Sequence, residues 1–174
     1  DVKKMKLFFE PNSVAVIGAT EKEDSVGKII LENLLLAKDR RRIYPVNPKR
    51  EKVLDMKCYP NISSVPESPD LAIIVTPAEF VPDIVEESGK TGTKAIIIIS
   101  AGFKETGADG EAREKRIADI AGKYNIRIMG PNCMGAIRPS ANLNATFVKR
   151  MPPPGNIAFL SQSGALGSGV LDWA

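Results

Sequence analysis

Residues 13–20 read SVAVIGAT, a short run of small and β-branched apolar residues that ends in a glycine and a small polar loop. An almost unbroken apolar run suits a parallel strand buried on both faces, and a glycine just beyond it suits a tight turn into a helix. The same pattern recurs outward along the chain in Leu71–Ala78 (LAIIVTPA), Ala95–Gly102 (AIIIISAG), Ile126–Cys133 (IRIMGPNC) and Asn156–Gly164 (NIAFLSQSG). Amphipathic stretches lie between these runs. Ser25–Ala37 places Val26, Ile29, Ile30 and Leu34 at helical spacing, Glu79–Gly89 places Phe80, Val81, Ile84 and Val85, and Glu111–Tyr124 places Ile117, Ile120, Ala121 and Tyr124. A strand at Arg42–Val46 (RIYPV) follows the first helix, and a short one is expected near Lys57–Tyr59. Alternation of this kind, joined by right-handed crossovers, builds a parallel sheet with helices on both faces. The expected fold class is α/β, a doubly wound Rossmann-like domain over residues 1–130.

Beyond that point the pattern changes. Residues 131–155 carry few periodic apolar positions, Pro139 and the MPPPG sequence of Met151–Gly155, and read as a linker or irregular excursion. Residues 156–174 restart strand, loop and helix, as the opening unit of a second α/β domain would. The helix is expected over Gly164–Ala174, with Leu166, Val170, Leu171 and Trp173 as an apolar set.

Bulk properties narrow the function. The chain has 174 residues, 43% hydrophobic and 26% charged, with a net charge of +3. That balance suits a globular protein with an anionic small-molecule ligand better than one that binds nucleic acid. No run of about 18 apolar residues spans a membrane, and no signal peptide is visible. Cys58 and Cys133 are far apart and form no metal or CxxC pattern, which points to the cytoplasm, where the sequons at Asn61 and Asn144 carry no meaning. The chain begins at Asp1, ends within an expected helix and contains no histidine. It reads as a piece of a larger protein.

Ligands of open α/β sheets bind at the carboxyl ends of the strands, so the loops there are the candidate site. After the first strand, the stretch from Gly18 to Gly27 lacks the three glycines of the dinucleotide fingerprint. It keeps a turn, Gly18-Ala19-Thr20, and a helix start, Ser25-Val26-Gly27, whose free N–H groups and dipole attract an anion. Glu21, Glu23 and Asp24 must then point away; the alternative is a plain strand–helix turn. After the second strand, where NAD-binding proteins place an acid for the ribose hydroxyl, this chain has Asn47-Pro-Lys49-Arg50. Two cations there suit a phosphorylated ribose, that of NADP or coenzyme A, and the missing fingerprint favours coenzyme A. Thr76-Pro77-Ala78 and Ser100-Ala101-Gly102 end the next two strands, where Gly102 lets a ligand approach the backbone. Either could be punctuation. Gly130-Pro-Asn132-Cys133-Met-Gly135 and Ser161-Gln-Ser163-Gly164 are more specific. Without histidine no Ser–His pair can form, so Ser161 and Ser163 read as ligands for phosphate or carboxylate, or as helix N-caps.

The ordered set VAVIGAT…VG, VNPK, VTPAEF, SAGF, IMGPNCMG and GNIAFLSQSGAL resembles the alpha subunit of succinyl-CoA synthetase and the related ADP-forming acyl-CoA synthetases, the latter more closely. The resemblance implies a Rossmann-like domain that binds coenzyme A, followed by a flavodoxin-like domain bearing a phosphorylated histidine. It implies the reaction acyl-CoA + ADP (or GDP) + phosphate ⇌ acid + coenzyme A + ATP (or GTP), through an acyl phosphate and a phosphohistidine. By the same resemblance Gly18–Thr20 and Ser25–Gly27 hold the nucleotide end of coenzyme A, and Lys49 pairs with its phosphates. Thr76–Ala78 and Ser100–Gly102 line the path of the pantetheine arm, Asn132–Cys133 lie near its thiol, and Ser161, Ser163 and Gly164 open the helix that faces the phosphate of the phosphohistidine.

The histidine and the ATP-grasp domains are absent from these residues, so no catalytic residue is expected in the chain, and it is expected to be inactive alone. ADP, ATP and magnesium are expected to bind elsewhere, on an ATP-grasp domain or a beta subunit. Self-association through the carboxyl end is a further expectation. Two other readings stay open: a non-catalytic coenzyme A-binding module, such as the synthetase-like region of some protein acetyltransferases, and an NADP-dependent oxidoreductase.

Overall fold

A computed structural model of the chain describes residues 2–173. Its elements in order are α1 (Val2–Phe9), β1 (Ser13–Ile17), α2 (Val26–Leu35), β2 (Arg42–Val46), β3 (Lys52–Val53), β4 (Met56–Lys57), β5 (Leu71–Ile74), α3 (Val81–Thr91), β6 (Ala95–Ile98), α4 (Ala108–Tyr124), β7 (Arg127–Met129), β8 (Gly135–Arg138), β9 (Leu143–Thr146) and α5 (Gly164–Trp173). Strands β2-β1-β5-β6-β7 form one sheet, in that order, and every pairing within it is parallel. The chain moves outward from β1 to β2, then returns to the other side of β1 to lay down β5. The order therefore reverses between β1 and β5, which is where open α/β sheets hold their ligands.

Alternation within the strands sends side chains to two cores. Val14 and Val16 of β1, with Leu71 and Ile73 of β5, face α2 through Ile30, Leu31 and Leu34. Ala15 and Ile17, with Ala72 and Ile74, face the other side, where Val81 and Val85 of α3 meet Ile117 and Ile120 of α4. Both faces of the central strands are thus dry, which is why their sequences read as continuous apolar runs. The Rossmann-like α/β fold expected from the sequence is the fold observed.

Three segments depart from expectation. Helix α1 has no counterpart in the sequence reading; Phe8, 2% exposed, drives it onto the sheet while Val2 stays 86% exposed. Within the stretch read as a linker, β8 and β9 pair as an antiparallel hairpin whose Ala136, Leu143 and Ala145 join the core shared with α2. The hairpin is tied down by polar groups rather than bulk. Asn33 of α2 donates to Thr146 O and Val148 O, each at 2.9 Å, and Arg41 donates to Asn142 O and Ala141 O at 2.9 and 2.8 Å. The core shared with α2 therefore extends past residue 130 into β8 and β9. Finally, no described strand pairs with residues 156–160, where a strand was expected. Ile157 and Leu160 are 91% and 90% exposed. An apolar run becomes a strand only beside a ladder partner, and the sheet offers none at that place.

Candidate functional site

The β1–α2 turn is built around two glycines that touch. Gly18 sits at φ +98°, and a Cβ at Gly27 would lie 2.4 Å from Gly18 O. The start of α2 therefore rests directly on the turn. Ser25 caps the helix, its hydroxyl oxygen accepting from Lys28 N at 3.3 Å. Two of the three acidic residues of this loop are engaged: Glu21 accepts from Leu54 N at 2.6 Å, and Glu23 pairs with Lys28 at 2.5 Å. The hydrogen bond that Lys28 donates to Glu23 is the main cause that raises its ammonium above its usual range.

Asn47 locks the second loop to the first. Its amide donates to Ala19 O at 2.8 Å, and its side-chain oxygen accepts from Lys49 N at 2.9 Å. Val46 O meanwhile accepts from Gly18 N at 2.9 Å. The two loops are thus held as one unit, and Lys49 is exposed above it with no carboxylate partner among the described residues.

Between these loops and the end of β5 lies a cleft of about 580 Å³. Gly18, Asn47, Lys49, Thr76 and Pro77 line it, with Pro60, Ile62 and Phe80 as apolar walls. Asp83 and Glu87 also reach it, but each carboxylate is occupied, Asp83 by Arg116 at 2.5 Å and Glu87 by Ser63 N and Oγ at 3.1 and 2.6 Å. Thr76 Oγ1 is buried and has no hydrogen-bond partner among the described residues. A polar atom left unpaired beside a cleft is suited to a ligand that supplies the missing partner.

The remaining candidates are linked to this cleft rather than part of its lining. Ser100 Oγ donates to Thr76 O at 2.6 Å, and Asn132 N donates to Ser100 O at 3.0 Å. Gly102, at φ +107°, passes so close to Ala78 that a Cβ there would stand 2.9 Å from the alanine methyl. Glu105, which sequence reasoning missed, ties the last two loops together: one carboxylate oxygen accepts from Gly102 N at 2.7 Å and from Asn132 Nδ2 at 3.3 Å. The Gly102 N–H is the main cause that holds its carboxyl below the usual range. Nothing in SAGFKE marks that acid as a clasp, since the same residue on a solvated turn would look identical. Cys133 Sγ lies 3.3 Å from Ile98 O, and burial pushes its thiol up to about 11, so it is a neutral thiol at pH 7.

Ser163 acts as the N-cap of α5, accepting from Leu166 N at 3.3 Å, while Ser161 accepts from Ser163 N at 3.0 Å. The helix packs on Met134: a Cβ at Gly164 would be 3.9 Å from Met134 Cβ, and one at Gly167 2.9 Å from Met134 Cε. The SQSG turn therefore lies next to the GPNC loop, away from the cleft lining.

A parallel sheet with a cleft at its switch point, a glycine turn packed on a helix start and an unpaired lysine together define a Rossmann-like ligand-binding domain. The chain belongs to the CoA binding domain family, which matches residues 12–139. It is similar to the acetate–CoA ligase (ADP-forming) I of Archaeoglobus fulgidus, 45% identical over 98% of this chain and 24% of that protein. Its similarity to the alpha subunit of acetate–CoA ligase (ADP-forming) II of Pyrococcus furiosus is also 45% identity, over 96% of this chain and 36% of the subunit. Among solved structures it matches the dinucleotide forming acetyl-coenzyme A synthetase 1 of Ca. Korarchaeum cryptofilum in complex with phosphate and ADP. That match has a TM-score of 0.90 at 38% identity and covers 99% of this chain and 36% of that one. The chain thus spans about a quarter to little more than a third of the relatives it matches. No described helix is long and apolar enough to cross a membrane.

Proposed function

We propose that the chain binds coenzyme A in the switch-point cleft and serves an ADP-forming acyl-CoA synthetase, for which acyl-CoA + ADP + phosphate ⇌ acid + coenzyme A + ATP. The observation that carries the reading is Lys49, an unpaired cation held over the cleft by Asn47 at the end of β2, where a ribose-binding acid would stand in an NAD-binding domain. Gly18–Thr20 and Ser25–Gly27 take the nucleotide end through backbone N–H groups, and Lys49 pairs with phosphate. The unpaired Thr76 Oγ1 supports a ligand path over Thr76–Ala78, continuing along Ser100–Gly102 towards Asn132 and Cys133. Coenzyme A supplies the thiol that carries the acyl group; the protein's part is to bind and orient it.

The SQSG turn is the anion site nearest the GPNC loop, and there Ser161, Ser163 and Gly164 face the phosphate carried by a histidine. This sequence has no histidine, so that residue, the ADP and ATP sites and magnesium belong to other parts of the enzyme, on an ATP-grasp domain or beta subunit. A cytoplasmic setting suits the two free cysteines.

Replacing Lys49 by alanine tests the assignment. A lost charge-assisted phosphate contact is worth about 1.5–3 kcal/mol before solvent screening. Calorimetry is expected to show Lys49→Ala weakening coenzyme A more than its dephospho analogue. Equal losses would remove Lys49 from the ribose phosphate.

A further inference from the structure

The β3–β4 hairpin carries two lysines that face each other. Lys52 and Lys57 are direct cross-strand partners, so their side chains leave the same face of the ribbon. Like charges in that relation weaken a strand pair. Neither has a carboxylate partner among the described residues; Lys57 Nζ lies 5.0 Å over the ring of Tyr59. The other face of the hairpin is firmly seated, with Val53 fully buried and Met56 packed on the core. The lysines are therefore presented by a fixed element.

Lys57 lines a second cavity, of about 500 Å³, together with Lys49, Arg50, Glu51 and Cys58. This cavity shares Pro48, Lys49 and Pro60 with the switch-point cleft, so Lys49 stands where the two meet. Arg50 is 4.0 Å from Glu21, which leaves Lys49 and Lys57 as the cations free to meet an anion there, against the single carboxylate of Glu51.

We propose that this cavity is a phosphomonoester subsite, in which Lys57 works with Lys49 to bind the phosphate that branches from the ribose of the ligand, while Lys52 strengthens the field. The inference rests on the coenzyme A reading and adds the hairpin to it as the element that selects for that phosphate. A phosphomonoester carries close to two negative charges at neutral pH. Bound there, it converts a repulsive lysine pair into a counter-ion contact, a role that no described acid fills.

The test is calorimetry on the 174-residue chain with coenzyme A and dephospho-coenzyme A, for wild type, Lys57→Met and Lys57→Arg. Wild type is expected to prefer coenzyme A. Lys57→Met should lose about tenfold in affinity for coenzyme A and less than about twofold for the dephospho form, while Lys57→Arg keeps the preference. The melting temperature of unliganded Lys57→Met should be no lower than that of wild type, since the substitution relieves repulsion; this separates lost binding from lost folding. Equal losses for the two ligands, or no loss for either, would overturn the subsite and leave coenzyme A binding standing. A wild type that binds neither ligand would overturn the coenzyme A reading, and the subsite with it.

Discussion

An alanine at position 27 would bring its Cβ to 2.4 Å from Gly18 O, and that oxygen belongs to backbone that cannot swing away. Gly27→Ala is therefore expected to cost about 1–3 kcal/mol through overpacking. It should also weaken ligand binding at the turn. Gly122, in α4 with nothing within 4 Å of its would-be Cβ, supplies the control. Gly122→Ala should stabilise by about 0.5–1 kcal/mol, since only the helix preference for alanine acts there. Urea unfolding of the two variants checks both signs. Cys133 gives a pH-dependent prediction. Burial pushes its thiol from 9.0 up to about 11, so the fold binds this proton more tightly than the unfolded chain does. The associated stability is intact below pH 9 and is lost as pH rises towards the folded value. Wild type should lose stability relative to Cys133→Ala over that interval, and parallel pH profiles would contradict the buried, neutral thiol.

At the scale of elements, the five sheet strands and helices α2, α3 and α4 were legible because each is decided by a local pattern. Continuous apolar runs such as AIIII need two covered faces, and the spacing of Ile117, Ile120 and Tyr124 needs a helix. The gathering of Gly18, Lys49 and Thr76 was legible too, since strand ends of a parallel sheet converge on one edge. The β8–β9 hairpin was not. Apart from Leu143 its buried positions are small or polar, Ala136, Asn144, Ala145 and Thr146, and the burial of the polar ones is made tolerable by hydrogen bonds that no periodicity shows. Asn33, a polar residue of α2, helps hold the hairpin's exit. Asn33→Ala leaves Thr146 O and Val148 O without that donor, and should cost about 1–3 kcal/mol in chemical unfolding. Phe80, read only as part of a helix face, Asn61, read only as a sequon, and Glu105 were not legible as parts of the ligand edge, because they reach it from turns whose course depends on tertiary packing.

At the scale of the whole molecule, apolar side chains collect on the segment after the hairpin. Ile157, Leu160 and Trp173 are 91%, 90% and 95% exposed, and Leu166 is 56% exposed. Exposed apolar surface of this extent favours association. Light scattering is expected to show concentration-dependent self-association of the chain, which should fall when residues 156–174 are removed; an unchanged monomer before and after trimming would contradict it. The central claim concerns the switch-point cleft, over which Lys49 stands where an NAD-binding domain would have a ribose-binding acid. The most direct test is to titrate the chain with coenzyme A and with NADP under identical conditions. Saturable binding of coenzyme A, tighter than that of NADP, is the predicted result; tighter binding of NADP, or no binding of coenzyme A, would contradict the account.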